Sequence, residues 1–153
     1  MGMYNYRDRI INFGKETEAK IVLPELNNTR VKDAAKELTS MGFNILDIED
    51  FQENVDIYLD YIDSLSFTNN WPASNLKEFL NDPLHFAMAM VACDDSDCLV
   101  AGAVTTSSKV IRSAIRMIGI RPTSNNVSSI FFMISPRGDS AFTFGDCAVI
   151  PEP

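Results

Sequence analysis

Thr105-Thr106-Ser107-Ser108, with Arg112 following one helical turn later, is the stretch of this 153-residue chain best suited to chemistry. A helix that starts there offers unpaired N–H groups and the positive end of its dipole. Hydroxyls add donors, and a guanidinium can grip two phosphate oxygens at once. Thr106, Ser107 and Arg112 are therefore the candidate phosphate-binding set, with Arg112 the candidate catalytic residue. Upstream, the apolar run Leu99 to Val104 reads as a central parallel strand covered on both faces. It delivers the hydroxyl cluster to a strand's carboxyl end, where ligands collect in open α/β sheets. Downstream, Ile111, Ala114, Ile115 and Ile118 define the inward face of the helix, and Arg112 and Arg116 share another. Arg116 reads as solvent-facing.

Other reactive side chains fall into no constellation. His85, the single histidine, stands near the start of a helix and reads as a surface or cap contact. Asp94-Asp95-Ser96-Asp97 lacks the glycine and distal glutamate of a calcium loop, so it reads as a solvated helix-to-strand turn. Cys93, Cys98 and Cys147 have neither CxxC spacing nor paired histidines, which argues for free thiols and no metal site. The tripeptides Asn27-Asn28-Thr29, Asn126-Val127-Ser128 and Arg137-Gly138-Asp139 match short adhesion or glycosylation motifs of the kind that recur by chance.

A net charge of −8 argues against nucleic acid and anionic membrane surfaces as partners. An anionic small ligand then needs a local basic cluster. Arg112, Arg116 and Arg121 supply one, in a stretch without acidic residues between Lys109 and Arg137. The N-terminus has no signal pattern and no apolar run reaches membrane-spanning length, which points to the cytoplasm. With 46% hydrophobic residues the chain can bury a core as one α/β domain.

Strand and helix patterns alternate as in βαβ units. Ile21-Val22-Leu23 predicts a buried strand, and a helix follows, capped by Asn27, Asn28 or Thr29 and closed by Gly42. Phe43 to Leu46 predicts a strand, Val55 to Ile62 a helix, and Ser64 to Ser74 a polar loop. Asp82-Pro83 opens a helix whose Phe86 to Val91 is apolar on every face and so should be buried. Val127 to Ser135 and Ala141 to Ile150, joined by Pro136-Arg137-Gly138-Asp139, predict an antiparallel hairpin.

Four blocks taken together, Leu23-Pro24-Glu25 with Arg30, Leu99 to Arg112, Val127 to Met133, and Phe144-Gly145-Asp146-Cys147-Ala148-Val149, resemble the phosphate acetyl/butyryltransferase family. The resemblance covers most of the chain. It implies an isopropylmalate-dehydrogenase-like fold, a three-layer α/β/α sandwich with a mostly parallel sheet and an antiparallel hairpin, here incomplete. Residues 1–153 would form the N-terminal domain. The second domain and the C-terminal return would be absent, and with them the family's general-base aspartate and most of its coenzyme A pocket.

The activity so implied is reversible acyl transfer, acetyl above all, between coenzyme A and phosphate. Coenzyme A is then a substrate and no cofactor is tightly bound. Phosphate, acyl phosphate and acyl-CoA are the partners, and a homodimer is compatible with the family. Ser128 and Ser129 match the family's Val-Ser-Ser element, and Cys147 matches a cysteine close to its active site. Two departures stand out. Members commonly carry an arginine where this chain reads Ser66-Phe67-Thr68-Asn69-Asn70, and glycines where Asp94 and Cys98 stand. The isolated chain is expected to be inactive as an acyltransferase; a non-catalytic phosphate-binding module or an interaction protein of the same fold is the alternative.

Overall fold

A computed structural model describes residues 5–124 and 127–145. The chain forms two compact units, one from residues 18–119 and the other from the flanking segments, residues 1–17 and 120–153. The fold is mixed α/β, with a parallel sheet in the larger unit and an antiparallel hairpin in the smaller.

In the larger unit β1 (Lys20–Val22) pairs in parallel with β2 (Asn44–Leu46) on one side and β3 (Cys98–Leu99) on the other. The helix that joins β1 to β2, α2 (Thr29–Ser40), is capped by Asn28, whose side chain accepts the Arg30 N–H. Gly42, at φ +95°, closes it: Phe43 N–H reaches Leu38 O and Gly42 N–H reaches Thr39 O, the paired bonds of a left-handed C-terminal cap. Next come a 3₁₀ segment (Ile48–Asn54), α3 (Val55–Asp63) and a short 3₁₀ turn (Ser66–Thr68).

The stretch read as a polar loop is ordered by two features. Thr68 is fully buried, and its hydroxyl donates to the carbonyls of Ile62 and Leu65. Trp71 meets Phe67 and Phe79 edge-on, so the loop carries its own aromatic cluster. Its end runs into α4 (Ala73–Leu80), a helix the pattern reading had not separated from the loop.

The centre of the unit is α5 (Pro83–Ala92), in which Leu84, Phe86, Ala87, Met88, Ala89 and Met90 are all buried. This matches its apolar character on every face, and each large side chain so buried contributes roughly 1.5–3 kcal/mol. Tyr58 is also fully buried, its ring edge-on to Phe86 and its hydroxyl donating to Asp95 at 2.6 Å. Asp95 also accepts from Asn54, and Asp97 accepts the Lys20 N–H at 2.7 Å. The acidic turn is thus a structural clip between segments rather than a solvated loop. Asp94, at φ +63°, is the left-handed residue that ends α5.

Two expectations are corrected here. β3 stops at Leu99 and lies at one side of the sheet, with β1 in the middle. Val100 and Val104 are more than half exposed. The reason is local: Gly102 adopts φ +111°, and the N–H groups of residues 102–105 turn to a side-chain carboxylate instead of a strand. Secondly, α6 (Ser107–Met117) buries Ser113 and Met117, with Val110 and Ala114 against the core, while Ile115 and Ile118 are exposed. The inward face is displaced by about one residue, roughly 100° of helix rotation. Ser113 turns inward because His85 offers it a hydrogen bond, and flexible Met117 fills the core beside it.

In the smaller unit β4 (Ile130–Ile134) and β5 (Ala141–Gly145) form the expected antiparallel hairpin, with Phe131 opposite Phe144 and Met133 opposite Phe142; the rest of the expected second strand, 146–150, lies outside the described residues. The Asp139 carboxylate ties the turn by accepting from Ser135 and Ser140 and pairing with Arg137. α1 (Tyr6–Glu16) starts against that turn, its Tyr6 N–H donating to Gly138 O and its cap Asn5 accepting from Arg7 and Asp8. Gly138 sits at φ +74°, and a Cβ there would lie 2.6 Å from Asn5 Oδ1. Ser128 and Ser129 belong to this unit, in the segment before β4, and Cys147 lies outside the described residues.

Candidate functional site

Within the larger unit Thr106, Ser108, Lys109, Arg112, Ser113 and Arg116 of the α6 region face Phe79 and His85 across a cleft of about 400 Å³. Five of these side chains, at positions 109, 112, 113 and 116 with Thr106 a turn earlier, recur at helical spacing, so one face of α6 forms a wall. That recurrence is present in the sequence and marks Lys109, Ser113 and Arg116 as partners of Arg112; of the basic cluster Arg112, Arg116 and Arg121, the first two line the cleft and Arg121 does not. Ser107 opens α6 and is not among the lining residues.

The start of α6 keeps its donors available. Thr106 is the N-cap, yet it makes no side-chain cap hydrogen bond; its hydroxyl lies 3.3 Å from that of Ser108. In α1, α2 and α5 the cap side chains do accept backbone N–H groups. The position of this helix start is set from a distance by Glu25. Its buried carboxylate accepts Gly102 and Ala103 N–H through Oε2 and Val104 and Thr105 N–H through Oε1, at 2.7–3.1 Å. Burial alone would raise its pKa. The bonds from Thr105, Ala103 and Val104 outweigh that and hold it at about 2. Arg30 adds a long contact to Ala103 O. Glu25 was visible in the sequence only as part of a family block, because a loop 80 residues away supplies its partners.

On the opposite wall His85 is neither a surface residue nor a cap. Its Nδ1 lies 3.0 Å from the carbonyl oxygen of Phe79, which can only accept, so Nδ1 carries the proton; Nε2 then accepts from Ser113 Oγ at 3.2 Å. The ring stacks on Phe79 with centroids 3.8 Å apart. One side chain thereby joins α4, α5 and α6. Burial holds its pKa below the usual histidine range, with Lys109 acting in the same direction against Phe79 and Asp82. Asp82 caps α5 through the Leu84 N–H and binds Lys109 at 2.6 Å. Burial opposes its ionisation, but Lys109 and the cap hydrogen bond leave its pKa below the ordinary value.

Lys109 is thus neutralised, whereas Arg112 and Arg116 are exposed and form no ion pair among the described residues. The Arg116 guanidinium lies over the Phe67 ring at 5.9 Å, reaching the 66–70 stretch where the family resemblance implied an arginine. Cys93 and Cys98 are free thiols whose pKa values burial and neighbouring aspartates push up, so neither is an activated nucleophile. No described helix is long and apolar enough to cross a membrane.

Comparison with known proteins identifies the family. Residues 21–153 match the model of the family described as Phosphate acetyl/butaryl transferase, and the chain belongs to that family. A phosphate acetyltransferase from Haemophilus influenzae is 35% identical over 124 residues, 81% of this chain and 17% of the relative. One from Acetivibrio thermocellus is 27% identical, across 97% of this chain and 53% of its own length. Among solved structures, the EutD phosphotransacetylase from Staphylococcus aureus superposes with a TM-score of 0.75 at 24% identity, covering 95% of this chain and 52% of that one. The likeness to that structure is one of fold. The chain spans about half the length of the shorter relatives it matches and a smaller share of the longer ones.

Proposed function

We propose that this chain is the phosphate-binding part of a phosphate acyltransferase, which interconverts acyl-CoA plus phosphate and acyl phosphate plus coenzyme A, with acetyl the favoured acyl group. The observation that carries this reading is Arg112, without an ion pair among the described residues, beside the uncapped start of α6 in a cleft that no described carboxylate lines. Arg112 would bind phosphoryl oxygens through its planar fork, and Thr106 and the first-turn N–H groups, Ser107 included, would complete the cradle. As the bond between acyl carbon and phosphate oxygen breaks or forms, charge develops on the phosphate, and donors fixed in advance stabilise it.

The thiol of coenzyme A must lose its proton to attack an acyl carbonyl. Among the described residues no carboxylate lines the cleft to take it, and the resemblance implies a general base in the part of the family that follows the Asp-Cys-Ala-Val block. The activity then needs that part, and coenzyme A acts as a substrate. Ser128, Ser129 and Cys147 remain candidates for the neighbourhood of the site on the family's pattern alone. Phosphate and acetyl phosphate titrated into the chain should shift the NMR amides of Thr105 to Lys109. Shifts centred elsewhere, or none, would refute the phosphate site, and robust formation of acetyl-CoA from acetyl phosphate by the chain alone would refute its being only part of one.

A further inference from the structure

We infer that the cleft binds its anion together with a proton, which His85 takes up while Ser113 turns its hydroxyl to the anion; the inference rests on the phosphate-binding reading of Arg112. The hydrogen bonds of the His85 ring lead there. Phe79 O fixes one proton on Nδ1, so the neutral ring has a single lone pair left, on Nε2, and Ser113 Oγ donates into it at 3.2 Å. A second proton on the ring reverses that bond. Nε2 then donates to Ser113 Oγ, and the hydroxyl proton of Ser113 is released to another acceptor. Ser113 lines the cleft with Arg112, so an anion held there is an acceptor within the same walls. One protonation thereby adds both a positive charge and a hydroxyl donor to the phosphate wall.

The charges that face the ring set the direction of the coupling. Lys109, Arg112 and Arg116 face it from α6, Asp82 at the cap of its own helix lies 4.0 Å from Nδ1, and α4 contributes the carbonyl and the stacked ring of Phe79. Asp82 is committed to Lys109 at 2.6 Å. Without an anion, a second ring proton therefore meets burial and two exposed guanidiniums, and it is disfavoured. An anion on Arg112 offsets that repulsion. The His85 side chain is only 13% exposed, so water and salt screen the interaction little. By whatever factor the anion favours the proton, the proton favours the anion. Affinity is thus gained as pH falls through the His85 pKa and lost as pH rises above it. Because His85 is the single histidine, it is the one side chain of the chain whose ordinary pKa lies between about pH 5 and 7.

The test uses sulfate, which has the shape and charge of the phosphate dianion and does not itself titrate between about pH 5 and 7. In NMR of the 153-residue chain at fixed ionic strength, added sulfate should move the titration midpoint of the His85 ring to higher pH. Calorimetry over the same range should show sulfate bound roughly tenfold more tightly by the protonated form, the worth of a further charge-assisted contact, with uptake of a proton on binding. His85→Gln should bind sulfate equally at both ends of the range. Ser113→Ala should keep the effect of the charge and show a smaller pH dependence. A midpoint that bound sulfate does not move, or a pH dependence that persists in His85→Gln, overturns the proton coupling while the phosphate site stands. A pH dependence undiminished in Ser113→Ala overturns the part given to Ser113. Sulfate binding that Arg112→Gln fails to weaken, or no binding at all, overturns the phosphate site and the coupling with it.

Discussion

Glu25 Oε1 accepts the backbone N–H of Thr105 at 2.7 Å, a contact that joins the turn after the first strand to the residue before the cap of α6. Because the same carboxylate also holds Gly102, Ala103 and Val104, it fixes the whole approach to the cleft. A fall in pKa from 4.5 to about 2 corresponds to about 3 kcal/mol of folding stability. The folded-state pKa is the lower one, so this stability is present above pH 4.5 and is lost as pH falls toward 2. Glu25→Gln should cost about 2–3 kcal/mol at neutral pH and flatten the decline of stability between pH 4.5 and 2, as read by denaturant unfolding across pH. An unchanged acid limb would show that Glu25 does not organise the loop.

Arg112→Lys retains the charge and loses the fork. Phosphate affinity of the chain should drop roughly tenfold, with thermal stability changed by no more than about 0.5 kcal/mol because the side chain is exposed. Wild-type affinity in the variant would return Arg112 to the status of a surface residue.

His85 titrates below its ordinary value of 6.5 in the folded chain, so the unfolded chain binds the proton more readily. Stability should therefore decrease as pH falls through 6.5, and His85→Gln should remove that part of the pH dependence. Loss of the ring would also break the link between Ser113 of α6 and Phe79 of α4, which hydrogen exchange at Ser113 and its neighbours should register.

Asp94 ends α5 at φ +63°, a conformation that suits glycine better than any residue with a Cβ. Asp94→Gly should raise stability by up to about 1 kcal/mol in thermal unfolding. The Asp94 side chain is exposed, and the clip made by Asp95 is left intact. A loss of stability would mean that Asp94 has a partner of its own.

Gly138→Ala should have the opposite sign. The added Cβ meets Asn5 Oδ1 at a left-handed position, so the variant both strains the turn and displaces the α1 cap. A cost of at least about 1 kcal/mol follows, concentrated in the smaller unit and visible as faster exchange of the hairpin amides. An equally stable variant would show that the turn can move.

The sequence by itself determined the elements whose cause is local: a cap for α2 among Asn27, Asn28 and Thr29, the Asp82 cap, the Gly42 stop, the all-apolar α5, the hairpin about Pro136 to Asp139, and the hydroxyl-rich start of α6 with Arg112 behind it. It also carried the family blocks. Tertiary structure decided what depends on partners far along the chain. The run from Leu99 to Val104 is as apolar as a central strand, but three of its amides and that of Thr105 bond to Glu25, and a carboxylate that satisfies four N–H groups outweighs a strand ladder. Apolar periodicity pointed Ile111, Ile115 and Ile118 inward, yet the histidine on α5 drew Ser113 to the core side instead. Periodicity registers which side chains avoid water and is blind to a single buried hydrogen bond, which is why the second wall of the cleft, with His85 and Phe79, emerged only when α4, α5 and α6 were packed together.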